Sequence, residues 1–159
     1  MKIKLKEISF ENISFNHSQL NGGVIHNVKY NGDPLEFQTP KLSLEQVLKE
    51  NNGEYLILKV MATQACKTFF LKIKQLEEFL GKTFKNPVQS VFNEDLVKVK
   101  TPCKSSRPLV KIYKNDQLFN YYNLEKGMEV ICLVCVEKVW VNNFNEPSYN
   151  LNVKEMMIV

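Results

Sequence analysis

Arginine occurs once in the 159 residues, at Arg107, and histidine twice, at His17 and His26. A lone arginine argues against reading of base sequence, for which the bidentate guanidinium is the usual tool. Two histidines leave little for acid–base chemistry. They do not stand in zinc-finger spacing, and no G-x-S-x-G elbow accompanies them. His26 alternates with Val24 and Val28, which reads as packing. Neither G-x-x-x-x-G-K-[ST] nor G-x-G-x-x-G occurs. No apolar run approaches the roughly 18 residues of a membrane-spanning helix. The opening "MKIKLKEISFENISF" alternates charged and apolar residues, so it lacks the apolar core of a secretory signal. With no export signal and four cysteines, we expect reduced thiols in the cytoplasm or nucleus. Internal repeats, low-complexity tracts and long linkers are also missing. The length suits one domain over residues 1–159, with 1–33 as an N-terminal strand extension, and can bury a core without disulfides or metals.

The cysteines draw attention first, because Cys132 and Cys135 form a Cys-x-x-Cys within "ICLVCVEKVW". A structural zinc needs four ligands, and Cys66 and Cys103 stand alone. A redox pair sits at a strand-to-helix turn. Here the pair lies inside an apolar strand, whose period of two sends positions 132 and 135 to opposite faces. Both read as core. Acid pairs such as Glu77–Glu78 read as helix-face charge. We therefore expect no catalytic residue, no metal, no cofactor and a non-enzymatic protein.

Alternation and turn residues mark strands over 2–10, 24–30, 35–38, 54–62, 97–100, 109–113, 118–122, 129–141 and 149–158. Segments 24–30 and 35–38 flank Asn31-Gly32-Asp33 and read as a hairpin. Residues 43–49 read as a short helix, with Ser43 and Gln46 as a capping box. The clearest helix is 68–80, about 13 residues. Phe69, Ile73, Leu76 and Leu80 form its apolar stripe, Thr68 its cap and Gly81 its stop. Such a chain is mainly β, a barrel or sandwich with one main helix in mid-chain, and an OB-type barrel belongs to that class.

Between residues 98 and 114 stand Lys98, Lys100, Lys104, Arg107, Lys111 and Lys114, with no Asp or Glu. Such a stripe is the electrostatic footprint of a polyanion or a solvated face. Aromatics accompany it. Tyr113 shares a face with Lys111, and Phe119 one with Tyr121. Trp140, the single tryptophan, shares a face with Lys138 and Asn142. Stacking contributes roughly 1–3 kcal/mol per base, and lysines follow the phosphates. Of Phe119, Tyr121, Tyr122, Trp140, Phe144 and Tyr149, we expect at least half to be core.

The segments "GDPLEFQTPKL", "EYLILKV", "FFLKIKQLEEFL", "KVKTPCKSSRPLVKIY", "LEKGMEVICLVCVEKVWV" and "YNLNVKEMMIV" together resemble the OB-fold single-stranded-DNA-binding proteins of nucleocytoplasmic large DNA viruses. In that pattern Thr39, Pro40 and Trp140 match, and Lys98, Lys100, Lys104 and Lys111 match the basic block. The resemblance implies an OB-like barrel, a viral protein of DNA replication, and a place at the host-cell replication site or in the virion.

The resulting expectation is sequence-tolerant binding of single-stranded DNA, with RNA open. Lys98, Lys100, Lys104, Arg107, Lys111 and Lys114 would meet phosphates, and Tyr113, Tyr121 and Trp140 would stack on bases. A protein partner or homo-oligomer stays open, and no membrane is implied. The alternative is a structural or scaffold protein, a virion or assembly component that docks proteins on the same domain. The two readings part on whether Trp140 and the basic stripe share one surface.

Overall fold

The computed structural model describes residues 2–159. Five strands close a barrel: Leu42–Glu50, Gly53–Lys59, Leu96–Thr101, Glu129–Val136 and Asn152–Ile158. We call them the first to fifth barrel strands. The order around the barrel is first, second, third, fifth, fourth, and back to the first. The third and fifth run parallel and the other neighbours antiparallel. This is the Greek-key order of an OB-like barrel. Leu42, Leu44, Leu56, Leu58, Val97, Val99, Val130, Cys132, Val134, Val153 and Met156 fill its interior. The fourth strand is apolar on both faces because its neighbours differ along its length. It pairs with the first barrel strand at Val130 and with the strand Leu35–Gln38 from Leu133 onward. Thr39-Pro40 makes the step between those two neighbours. Thr39 Oγ1 accepts from Cys132 N at 3.0 Å and donates to the Pro40 carbonyl at 2.9 Å.

The helix is Gln64–Phe84, 21 residues instead of about 13. Its cap is Thr63, whose side chain accepts from Cys66 N, and Thr68 lies inside the first turns. Gly81 also lies inside. The helix ends at Lys85, which takes a left-handed φ of 61° ahead of Asn86-Pro87. Phe69, Ile73, Leu76 and Leu80 are buried, as the stripe predicts. Further along, Phe79 stacks on Phe10 at 5.5 Å and Phe84 meets Phe15 edge-on at 5.2 Å. The helix thus packs on both the barrel and the N-terminal segment.

That segment joins a second sheet of four strands: Ile13–Leu20, Gly23–Tyr30, Lys138–Asn142 and Pro147–Tyr149. Several expectations are corrected here. Residues 43–49 are strand and not helix, because pairing along Gly53–Lys59 and burial of Leu42 and Leu44 outweigh the local capping pattern. Segments 24–30 and 35–38 do not form a hairpin. Only Tyr30 and Asp33 bridge, and the two strands enter different sheets. Residues 2–10 hold a two-residue strand, Lys2–Ile3, then 3-10 turns at Leu5–Glu7 and Phe10–Asn12. The stretches 129–141 and 149–158 are each interrupted, at Glu137 and at residues 150–151, where the chain leaves and re-enters the barrel. Segment 118–122 is a short strand, Gln117–Leu118, followed by the 3-10 turn Tyr121–Asn123.

Candidate nucleic-acid interface

Antiparallel pairing sets Tyr55 opposite Lys100 and Ile57 opposite Lys98 on the second and third barrel strands. Their neighbours Leu56, Leu58, Val97 and Val99 fill the barrel, so Tyr55, Ile57, Lys98 and Lys100 face outward. Lys98 Nζ lies 4.2 Å from the Tyr55 ring centroid and Lys100 Nζ lies 5.9 Å from it. The second and third strands of an OB barrel, with the loops joining strands one–two and four–five, are where such folds take oligonucleotides.

A cleft of about 220 Å³ opens on this face. Tyr55 and Lys98 floor it. Asn52 borders it from the turn between the first two barrel strands, and Gln89, Ser90 and Val91 from the segment after the helix. Ser148, Tyr149 and Asn150 border it from the connection between the fourth and fifth strands. Amides and hydroxyls thus surround a lysine and a phenol, offering neutral donors and acceptors beside a cationic contact.

One buried carboxylate fastens two of these walls. Glu77, on the helix, is 7% exposed. It accepts from Ser90 Oγ at 2.7 Å, Val91 N at 2.9 Å and the Tyr149 hydroxyl at 2.6 Å. Lys74 Nζ lies 3.7 Å away and also donates to Ser90 Oγ. Burial, then the Glu77 charge, hold the Tyr149 hydroxyl well above the usual phenol range. It stays protonated and donates.

Trp140 is half-exposed. Its cross-strand neighbour is Ser148. Residues directly opposite in an antiparallel pair share a face, so the indole shares a sheet face with Ser148, one of the residues that line the cleft. The ring lies over the backbone at Gly22-Gly23. A Cβ at Gly23 would come 2.9 Å from Trp140 and would collide with the Val141 carbonyl oxygen.

The rest of the stripe divides. Lys104 and Arg107 face each other across a small exposed hairpin, Cys103–Lys104 against Arg107–Pro108, turned by left-handed Ser105 and Ser106. Like charges set opposite each other destabilise a strand pair unless an anion joins them. The hairpin continues the third strand past Glu54, to which Cys103 Sγ donates at 3.1 Å. Burial and Glu54 push the Cys103 thiol up to about 11, which keeps its thiolate fraction low near neutral pH.

Lys111 and Lys114 lie on the strand Lys111–Lys114, which pairs with the fifth barrel strand at Glu155–Ile158, along the edge that the third strand meets at Asn152. Lys111 opposes Glu155, and Lys114 lies over Phe119 at 5.9 Å. Tyr113 lines a separate cleft of about 240 Å³ with Gln38, Ile131, Leu133, Glu155 and Met157, over the fourth and fifth strands. Tyr121 is 8% exposed, with its hydroxyl 3.4 Å from Thr101 Oγ1, so its ring offers no face to a base. Burial of at least half of the six aromatics is also corrected. Tyr121 and Tyr149 are buried, Phe119 and Trp140 are half-buried, and Tyr122 and Phe144 are exposed.

Cys132 and Cys135 take opposite faces of the fourth strand. Cys132 points into the barrel, where burial pushes its thiol up to about 12. Cys135 lines an outer pocket with Glu36, Glu137 and Lys154. Among the described residues no group of three His, Cys, Asp or Glu side chains could hold a metal ion. His26 packs at 4.6 Å on Phe84, and burial followed by His17 lowers its pKa.

Tyr55, Glu77 and the polar cleft wall escape a reading of single segments. The signal for Tyr55 was present: "YLIL" and "VKVK", read as a pair, set Tyr55 between two lysines.

No protein-family model matches this chain, and no curated protein matches it. Among solved structures it is similar to gp2.5, described as a single-stranded DNA binding protein encoded by bacteriophage T7. The TM-score is 0.54 and the identity 10%, over 79% of this chain and 86% of that chain. At that identity the likeness is one of fold, and the OB-like barrel is a distant structural relative of the phage protein's.

Proposed function

We propose that the chain is a non-enzymatic, sequence-tolerant single-stranded nucleic-acid-binding protein that takes DNA across the second and third barrel strands. The observation that carries this reading is the pair Lys98 and Lys100 beside Tyr55 on that face, next to a polar cleft that Tyr55 and Lys98 line. Lys98, in the cleft, and Lys100, on the same strand beyond it, meet phosphates. Lys104 and Arg107 extend the track on the hairpin beyond the third strand. Trp140 stacks on a base, and Asn52, Ser148 and Asn150 contact sugar or base edges without fixing sequence. The lone arginine supports tolerance of sequence. The phage protein of the same fold is itself described as binding single-stranded DNA, which supports the choice of ligand. A role in viral DNA replication belongs to the same reading and rests on the resemblance to the large-DNA-virus family.

Lys111, Lys114 and Tyr113 stand outside this track. The expected slope of log affinity against log salt is therefore about −3, from roughly 0.7 for each of four cationic contacts. A titration of fluorescent oligo-dT at several salt concentrations measures it. A slope near zero, or no binding at low salt, refutes the reading.

A further inference from the structure

The cleft is closed by its own lysine. Glu50 ends the first barrel strand, and its Oε1 lies 2.6 Å from Lys98 Nζ. The same ammonium lies 4.2 Å from the Tyr55 ring centroid. One lysine thus bridges a carboxylate and an aromatic face. Tyr55, in the cleft floor, is only 3% exposed. Both side chains of the ion pair are 41% exposed, so water and an incoming anion reach them.

A phosphate that takes Lys98 must take it from Glu50. When the ammonium moves to the phosphate, the Tyr55 ring loses its nearer cation and keeps Lys100 at 5.9 Å. We propose that Glu50 is a built-in competitor of the phosphodiester: it holds Lys98 across Tyr55 in the free protein, and a bound strand displaces it and gains the lysine. This inference rests on the functional reading above and adds a residue that weakens binding instead of making it. A fixed carboxylate sets a threshold, because only a ligand that supplies an anion and a ring together replaces both partners of Lys98. A free phosphate replaces one.

Glu50→Gln keeps shape and removes the competing charge. The expected result is tighter oligo-dT binding at low salt, by roughly 3- to 10-fold. That is the scale of one exposed ion pair plus the repulsion of one carboxylate near a phosphate. The wild-type salt slope should fall about 0.7 short of the four-contact value, because Glu50 and not a counterion neutralises Lys98, and Glu50→Gln should restore it. Glu125→Gln is the control for net charge. Glu125 is exposed and opens the turn whose Gly127 bonds to Leu44, at the other end of the first strand. It should change affinity less than about 2-fold. In a Lys98→Gln background the gain from Glu50→Gln should shrink to the carboxylate's repulsion alone, about 2-fold. A gain no larger than that of Glu125→Gln overturns the inference, and so does a gain undiminished in the Lys98→Gln background. If neither the wild type nor Glu50→Gln binds oligo-dT, the functional reading itself is overturned. Wild-type binding with an unmoved Glu50→Gln overturns only the competitor.

Discussion

Tyr149→Phe tests whether the helix carboxylate holds the cleft wall. The substitution removes one oxygen, which donates to Glu77 at 2.6 Å. Both residues are 7% exposed, so water does not replace the bond. A hydrogen bond to a charged group contributes about 1.5–3 kcal/mol. Glu77 keeps Ser90 and Val91 N as donors, which places the expected loss near 2 kcal/mol. At roughly 2–4 °C per kcal/mol for a chain of this size, the midpoint should fall about 4–8 °C. Glu77→Ala leaves three donors without their acceptor and should cost about 3–5 kcal/mol. Urea unfolding followed by Trp140 fluorescence gives both values and, with the double variant, their coupling.

The penalty also carries a pH signature. The folded hydroxyl titrates above the ordinary 10.0, so the unfolded chain ionises first. Wild-type stability then falls as pH rises through 10, and the phenylalanine variant lacks that contribution. The difference between them should shrink above pH 10. A loss under about 0.5 kcal/mol, or one that stays constant from pH 8 to about 10.5, would refute the fastening argument.

Three further outcomes are expected. The Cys132 thiol, pushed up to about 12 from an ordinary 9.0, gives stability that is full below pH 9 and lost as pH climbs toward 12, at about 1.4 kcal/mol per pH unit; urea midpoints under reducing conditions at stepped pH measure the slope. Lys98→Ala with Lys100→Ala should weaken oligo-dT binding at least 10-fold, whereas Lys111→Ala with Lys114→Ala should change it less than about 2-fold, and fluorescence anisotropy at one fixed salt compares them. Gly23→Ala forces a Cβ against the Val141 carbonyl and the Trp140 ring, so we expect a loss of about 2–3 kcal/mol and a shifted Trp140 emission spectrum.

What could be read from single segments was periodicity. The stripe Phe69, Ile73, Leu76 and Leu80 identifies the helix, and the alternation in "VKVK" identifies the third barrel strand. Strand parity also disposes of the Cys-x-x-Cys. Pairing was not legible. Ser43, Gln46, Leu44 and Leu48 imitate a capped helix, and only the partner strand, with a bulge between Leu44 and Gln46, makes 42–50 extended. The strand Ile13–Leu20 escapes because it is an edge, with one buried residue to reveal its period. Glu77 looks like surface charge beside Glu78. Its position four after Ile73 and three before Leu80 puts it on the margin of the buried stripe. The basic stripe is continuous in sequence and divided in space. After the Arg107-Pro108 hairpin the chain runs on along the fifth strand, so Lys111 pairs with Glu155 of that strand, whereas Lys98 pairs with Ile57 of the second.

Two carboxylates set different properties of one cleft. Glu77 acts from the helix on its walls, through Ser90, Val91 and Tyr149. Glu50 acts from the first barrel strand on its floor, through Lys98. The first is buried and bonded, so its removal costs stability before it alters binding. The second is solvated, where an ion pair contributes little to folding but competes directly with an incoming phosphate. Shape and charge of the cleft are therefore separable by substitution. Loss of the wall lowers the unfolding midpoint and the affinity together, whereas loss of the competitor raises affinity at nearly constant stability. A generic cationic surface would show neither pattern. Its affinity would follow net charge alone, and Glu50→Gln, Glu77→Gln and Glu125→Gln would be indistinguishable in binding.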